Sequence, residues 1–172
     1  AARAGFRGVE YQFPYAWPKE KVAERARAAG VEVVLHNIPA GDAAKGDRGI
    51  ACLPGIGKAK QLGYQVIVTD HHLPGETLPE ADAIVNPNLP DDGFDSKALA
   101  GVGVVFYLLL AVRQALRTNG SPGADADLSS LLDLVAIGTV ADMVKLDANN
   151  RRLVRAGLAR INQGRCQPGV KA

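Results

Sequence analysis

Apolar and polar positions fall into short blocks along the chain. Gly8–Phe13 (GVEYQF) has strand character and ends at Pro14. Pro18 stands where a helix can begin, and KEKVAERARAAG predicts a helix that stops at Gly30. Val31–Ile38 (VEVVLHNI) is β-branched and apolar, the pattern of a buried strand. A polar loop with glycines covers Pro39–Gly49, and a helix through Ile56–Leu62 ends at Gly63. Gln65–Thr69 (QVIVT) is the next strand, and Ala83–Val85 is a short further one closed by Asn86-Pro87-Asn88. Strands alternating with helices predict an α/β fold with a parallel β-sheet and crossover helices. Three helices follow, over Val102–Arg117, Leu128–Val144 and Ala148–Gln163, so the C-terminal part is helical. The last shows Val154, Leu158 and Ile161 at i, i+4 and i+7, a buried stripe.

Composition narrows this picture a little. The 172 residues suit one domain, and 47% hydrophobic residues can build a core. A net charge of +2 says little, but its distribution is uneven. From Lys145 onward Lys145, Arg151, Arg152, Arg155, Arg160, Arg165 and Lys171 face a single acid, Asp147. Cys52 and Cys166 form no CxxC pair, which suits a reducing, cytoplasmic compartment and argues against a disulfide scaffold or zinc ribbon. The most apolar run, Val102–Val112, stops at Arg113 and is too short to span a bilayer, so a buried helix is expected and no membrane partner. The chain begins AARAGF and stops at GVKA, which reads as an excised piece.

The candidate chemistry sits at VTDHHLPG. Asp70, His71 and His72 lie at the carboxyl end of the third strand, where open parallel sheets bind ligands. Carboxylate with imidazole suits Mn²⁺, Zn²⁺ or Fe²⁺. Side chains alternate faces along a strand, so either the chain turns here or the three residues divide their roles. The plainer reading is a solvated turn before Leu73-Pro74. Asp142 is an acid within the apolar AIGTVADMV, and acids are rarely buried unpaired. Gly138-Thr139 before it suggests a close backbone approach, although an acid pointing to solvent would need no site. Asp47 and Asp42 occupy the loop after the second strand, either as ordinary loop acids or, for Asp47, near the same sheet edge. His36 fits a strand-end histidine bonded to backbone. Arg151, Arg152 and Arg155 form either a solvated helix face or a patch that tracks phosphates.

Three segments carry a resemblance. VIVTDHHLPGETLPEADAIVNPN, SKALAGVGVVFYLLLAVR and LLDLVAIGTVADMVKLDANNRRLVRAGLARINQGRCQPGVKA closely resemble the RecJ family of single-strand-specific 5′→3′ DNA exonucleases, within the DHH phosphoesterase superfamily. The resemblance runs from about Gly55 to Ala172. It implies a DHH-domain-like fold, with Asp70, His71 and His72 as the name-giving motif and Asp142 as the acid of GTVAD. It further implies a two-metal centre of Mn²⁺ or Mg²⁺ and single-stranded DNA as substrate. Asp47-Arg48-Gly49-Ile50 is in register with that family's Asp-Asn-Gly-Ile, which makes Asp47 a further metal ligand by resemblance.

Residues 1–55 instead resemble hydroxypyruvate isomerase, a (β/α)₈-barrel enzyme, so the chain reads as a chimera. The expected organisation is one α/β domain over 1–172, with an isomerase-like βα segment over 1–55 and a DHH segment over 56–172. The RecJ family's first motif, an aspartate-rich string, has no counterpart before Asp42, and Lys145 stands where proline is usual. That family's glycine-rich clamp and OB-type domains are also missing. Metal-dependent phosphodiester hydrolysis of single-stranded DNA, weak or without turnover, is therefore the expected function. A non-catalytic chimeric scaffold and, below it, a sugar-acid isomerase are the alternatives; nothing in the sequence sets the oligomeric state.

Overall fold

The computed structural model describes residues 8–10, 19–28, 32–35 and 49–171. By contact these divide between two compact units, one of Ala1–Val68 with Pro74–Ile84 and one of Thr69–Leu73 with Val85–Ala172.

In the first unit β1 (Gly8–Glu10) pairs in parallel with β2 (Glu32–Leu35), and α1 (Lys19–Ala28) lies between them in sequence. This is the crossover arrangement the sequence predicts, since parallel neighbours need a long connection. A 3-10 turn over Gly49–Ala51 leads into α2 (Leu53–Gln61), which has proline in its first turn, where the missing N–H leaves no partner wanting. Ile56 and Ala59 are its buried face. The Asp82 carboxylate accepts the Val66 N–H at 2.6 Å and the Lys60 ammonium at 2.7 Å. The Lys60 hydrogen bond, foremost, then that from Val66, holds this carboxyl below the usual range.

β3 (Ile67–Thr69) pairs with β4 (Ala83–Val85). Ala83 N–H donates to Val66 O, and further along both strands Asp70 N–H donates to Val85 O, so this pair is parallel too. Among the described residues the strands form two separate pairs, β1 with β2 and β3 with β4.

The second unit is mainly helical. α3 (Gly101–Thr118), α4 (Leu132–Ala141) and α5 (Ala148–Asn162) surround a core of Leu99, Val104, Phe106, Leu128, Val135 and Leu153. The apolar run Val102–Val112 is thus part of an 18-residue helix that is long and apolar enough, by length and composition alone, to cross a membrane. One side of it enters the core, while Val105 and Val112 are exposed.

The helix predicted over Leu128–Val144 divides. Asp127 accepts the Ser129 N–H and hydroxyl and caps a 3-10 turn over Leu128–Leu131 before α4 starts. α4 stops at Ala141, because Met143 adopts φ +53° and turns the chain out of the helix.

Close packing sets the helix crossings. A Cβ on Gly157 would come 2.1 Å from the Leu132 carbonyl oxygen and 2.4 Å from the Ala136 Cβ, so α5 meets α4 there backbone to backbone. A Cβ on Gly138 would stand 2.8 Å from a Val102 methyl, which gives the close approach expected at this glycine. The buried stripe of α5 is Asn150, Leu153, Val154 and Gly157 rather than Val154, Leu158 and Ile161, and Leu158 is exposed. The contact line passes through Gly157, which turns Leu158 outward.

A short α6 (Pro168–Lys171) was not foreseen. Just before it, Gln167 donates its N–H to the fully buried Asp133 carboxylate and its side-chain amide to Ser130 O. Asp133 also accepts the Leu134 N–H at the start of α4, where a negative charge suits the helix dipole.

Candidate metal centre

The chain leaves β3 at Thr69, and Asp70 N–H makes the last rung to Val85 O. The next residues bend rather than extend. Asp70 is 4% exposed, and its Oδ1 accepts three bonds: from His71 N–H at 2.7 Å, His72 N–H at 3.2 Å and the His72 Nδ1 at 2.6 Å. This carboxylate folds the turn around itself. Both outcomes anticipated for the tripeptide occur together: the chain turns, and the roles divide.

His71 points elsewhere. Its Nε2 lies 3.2 Å from Asp142 Oδ2, and its ring is mostly buried. Asp142 is the C-cap of α4. A carboxylate at the negative end of a helix dipole concentrates negative potential, which is what a cation needs and a lone acid does not. Asp142 therefore neither sits inside the helix nor points away from the other candidates. His72 keeps an open face, with 60% of its side chain exposed. With Asp70 accepting at Nδ1, its Nε2 carries the free lone pair. The two imidazole rings stand 4.4 Å apart at 46°.

The donor set fits a hard-to-borderline divalent cation. Asp70, His71 and His72 each offer an atom, all within 4.8 Å of one another. Two cis ligands of an octahedral ion, each about 2.1 Å from it, stand about 3 Å apart. The His71–Asp142 pair has that spacing. Imidazole nitrogen beside carboxylate oxygen suits Mn²⁺.

The remaining candidates fall in different places. Asp47, Asp42 and His36 lie outside the described residues. Arg151, Arg152 and Arg155 of α5 are exposed but line two different depressions. Arg151 and Arg155 rim a depression of about 530 Å³ floored by Leu146, Val154 and Leu158. Arg152 lines another, of about 540 Å³, beside Phe94, Ser96 and Asp147. Sequence reasoning missed Asn86 and Asn88, which bond to the main chain of His72 and His71. Their signal was the Asn-Pro-Asn string directly after β4, which read only as a strand end.

Comparison with known proteins places the chain. The model of the DHH family, N-terminal domain, matches residues 36–139. The chain belongs to the DHH family. It is 53% identical over 156 residues to the single-stranded-DNA-specific exonuclease RecJ of Salmonella typhimurium, covering 88% of this chain and 26% of that protein. The crystal structure of RecJ in complex with Mn²⁺ from Thermus thermophilus superposes with a TM-score of 0.57 at 32% identity, over 91% of this chain and 24% of that one. The DHH chain thus spans about a quarter of the length of these relatives. A shorter likeness joins it to hydroxypyruvate isomerase of Escherichia coli, 53% identical over 55 residues, 32% of this chain and 21% of that enzyme. The DHH match begins at residue 36, so the family likeness reaches upstream of Gly55.

Proposed function

We propose that this DHH domain binds Mn²⁺ or Mg²⁺ and hydrolyses phosphodiester bonds of single-stranded DNA in the cytoplasm, with weak turnover. The observation that carries the reading is the His71–Asp142 pair, two metal-type donors brought to cis-ligand spacing from separate elements. The RecJ relatives, named for single-stranded DNA and solved with Mn²⁺, agree with it.

The residues divide the work. His71 and Asp142 hold the ion, and Asp47 is a further ligand by register. When bound, the metal supplies an activated water and neutralises charge on the phosphate. Asp70 orients, fixing the turn and the His72 tautomer. His72, held at Nδ1 and open at Nε2, accepts a proton from the attacking water, the task of a positioned general base, and then gives it to the departing oxygen. Arg151 and Arg155, and at another depression Arg152, bind backbone phosphates. α3 serves as a core helix, as its contacts with Leu128 and Val135 support.

Few carboxylates are placed to support turnover. A two-metal centre needs enough carboxylates for both ions, and among the described residues Asp70 and Asp142 stand at the site. The test is a gel assay on 5′- and 3′-labelled single strands with Mn²⁺, run beside a nitrophenyl phosphodiester and an Asp142→Ala control. Slow, Mn²⁺-dependent cleavage of the activated ester that vanishes in the control is expected. Equal rates in parent and control would overturn the proposal. Rapid stepwise shortening of the strand would overturn the weak turnover proposed here.

A further inference from the structure

β3 ends at Thr69, so no strand ladder holds the peptides of His71 and His72. Their rings, 4.4 Å apart, take different partners, His71 with Asp142 and His72 with Asp70. Each ring keeps its partner most readily when the main chain beneath it is fixed. The fixing groups come from the segment after β4. Asn86, 2% exposed, donates its side-chain amide to His72 O at 2.8 Å. Asn88 donates its amide to His71 O at 2.7 Å and to Lys97 O at 3.1 Å. The two asparagines are themselves joined, since Asn86 Oδ1 accepts the Asn88 N–H at 2.9 Å, an Asx turn. Pro87 between them has a restricted φ, and its carbonyl accepts the Lys97 ammonium at 2.6 Å. The ammonium also binds Asp92 O at 2.7 Å, which closes the loop on itself.

We propose that Asn86 and Asn88 are positioning residues of the metal site: each takes one histidine's main-chain carbonyl, and together they aim the His71 ring at Asp142. Neither amide touches a ligand side chain, so they act through the turn and not on the ion. Outer partners of this kind orient ligands and set metal affinity. Asn86 reads both carbonyl and amide, donating to His72 and accepting from Asn88, so aspartate or leucine there cannot replace it. Asn88 needs only its donor.

This rests on the metal reading above, and the experiment separates the two. Mn²⁺ affinity is measured by electron paramagnetic resonance for the parent, Asn86→Leu, Asn88→Leu and Asn88→Ala. Val104→Ala serves as a control that opens the core away from the turn. Melting of the ion-free proteins is recorded alongside, and nitrogen modulation of the Mn²⁺ echo reports imidazole coordination. The asparagine variants should bind Mn²⁺ about 10- to 100-fold more weakly and lose nitrogen modulation. Val104→Ala should melt lower yet keep parental affinity. If Asn86→Leu does not fold, the half-buried Asn88 variants decide. Parental affinity and modulation in those variants would overturn the positioning role while leaving the metal site standing. A parent that binds no Mn²⁺ would overturn both.

Discussion

His71 Nε2 and Asp142 Oδ2 stand 3.2 Å apart, the first just beyond the end of β3 and the second at the C-terminus of α4. A strand end and a helix end thus converge on one point. The strand end delivers an imidazole nitrogen through a turn wrapped around Asp70. The helix end delivers a carboxylate and the negative pole of a dipole. The placement of α4 therefore bears directly on the site.

That placement depends on two glycines of unequal consequence. Gly157→Ala puts a methyl against the Leu132 carbonyl, which is backbone and cannot move aside. A loss of about 3 kcal/mol or more is expected, at the upper end for overpacking. Gly138→Ala meets a Val102 methyl instead, and the gain in helix propensity, about 1 kcal/mol, offsets part of the strain. Urea unfolding of both variants should rank Gly157→Ala clearly the less stable.

Met143 holds a left-handed conformation at φ +53° immediately after Asp142, and its side chain is 89% exposed. Glycine adopts this conformation without the Cβ penalty of about 1–2 kcal/mol. Met143→Gly should therefore raise the unfolding free energy by up to about 1 kcal/mol and leave Mn²⁺ affinity unchanged. A lower midpoint in urea would show that the methionine side chain contributes packing of its own.

Asp147 gives the fold an acid-sensitive element. Burial pushes its carboxyl up, but the Asn150 N–H and the Ser96 hydroxyl, with smaller help from the Asn149 N–H and Arg151, outweigh this and hold it below the usual range. A folded pKa below the unfolded one means that the unfolded chain binds more protons. The resulting stability is complete above the unfolded value, about 3.9, and is lost as pH falls through the folded value. Asp147→Asn should be less stable than the parent near neutrality. Its melting temperature should also fall less steeply than the parent's below about pH 4. Parallel curves would remove Asp147 from the acid response.

The arginines of α5 divide between two depressions. On single strands each phosphate contact adds about 0.7 to the slope of log affinity against log salt. Arg151 and Arg155 share one depression, so a strand lying there loses about 1.4 from that slope when both become Gln. Arg152→Gln, on the other depression, should change it little. Fluorescence anisotropy with a short labelled oligonucleotide across a salt series measures this. Equal effects of all three would mean that the strand wraps the helix.

Much of this was legible in the residues. β4 and the start of α5 lie where period and punctuation put them, because Asn-Pro-Asn and Asp147 mark those boundaries. The Asp-His-His string stood out as metal chemistry, and Gly138 as a close approach. What escaped depends on tertiary contact. The side of α5 that is buried follows from Gly157 meeting α4, and a 3.6-residue period does not show which of two apolar lines wins. The separation of Arg152 from Arg151 and Arg155 has the same origin. α6 follows Gln167, whose bond to Asp133 joins residues remote in sequence. The asparagine brace was hidden because turn residues ordinarily bond to their own neighbours. Here they also reach back across the strand pair to His71 and His72.

The most direct test of the central claim is calorimetric titration of the chain with Mn²⁺, beside His71→Ala and Asp142→Ala. Both substitutions remove a proposed ligand, one a mostly buried ring and the other a partly exposed carboxylate, and neither residue belongs to the core cluster. The parent should bind Mn²⁺ and melt at a higher temperature with it, since an ion that binds only the folded state stabilises that state. Each variant should lose both effects while keeping its ion-free melt near the parent's. Binding that survives in both variants would place the metal elsewhere, and no binding in the parent would contradict the metal centre altogether.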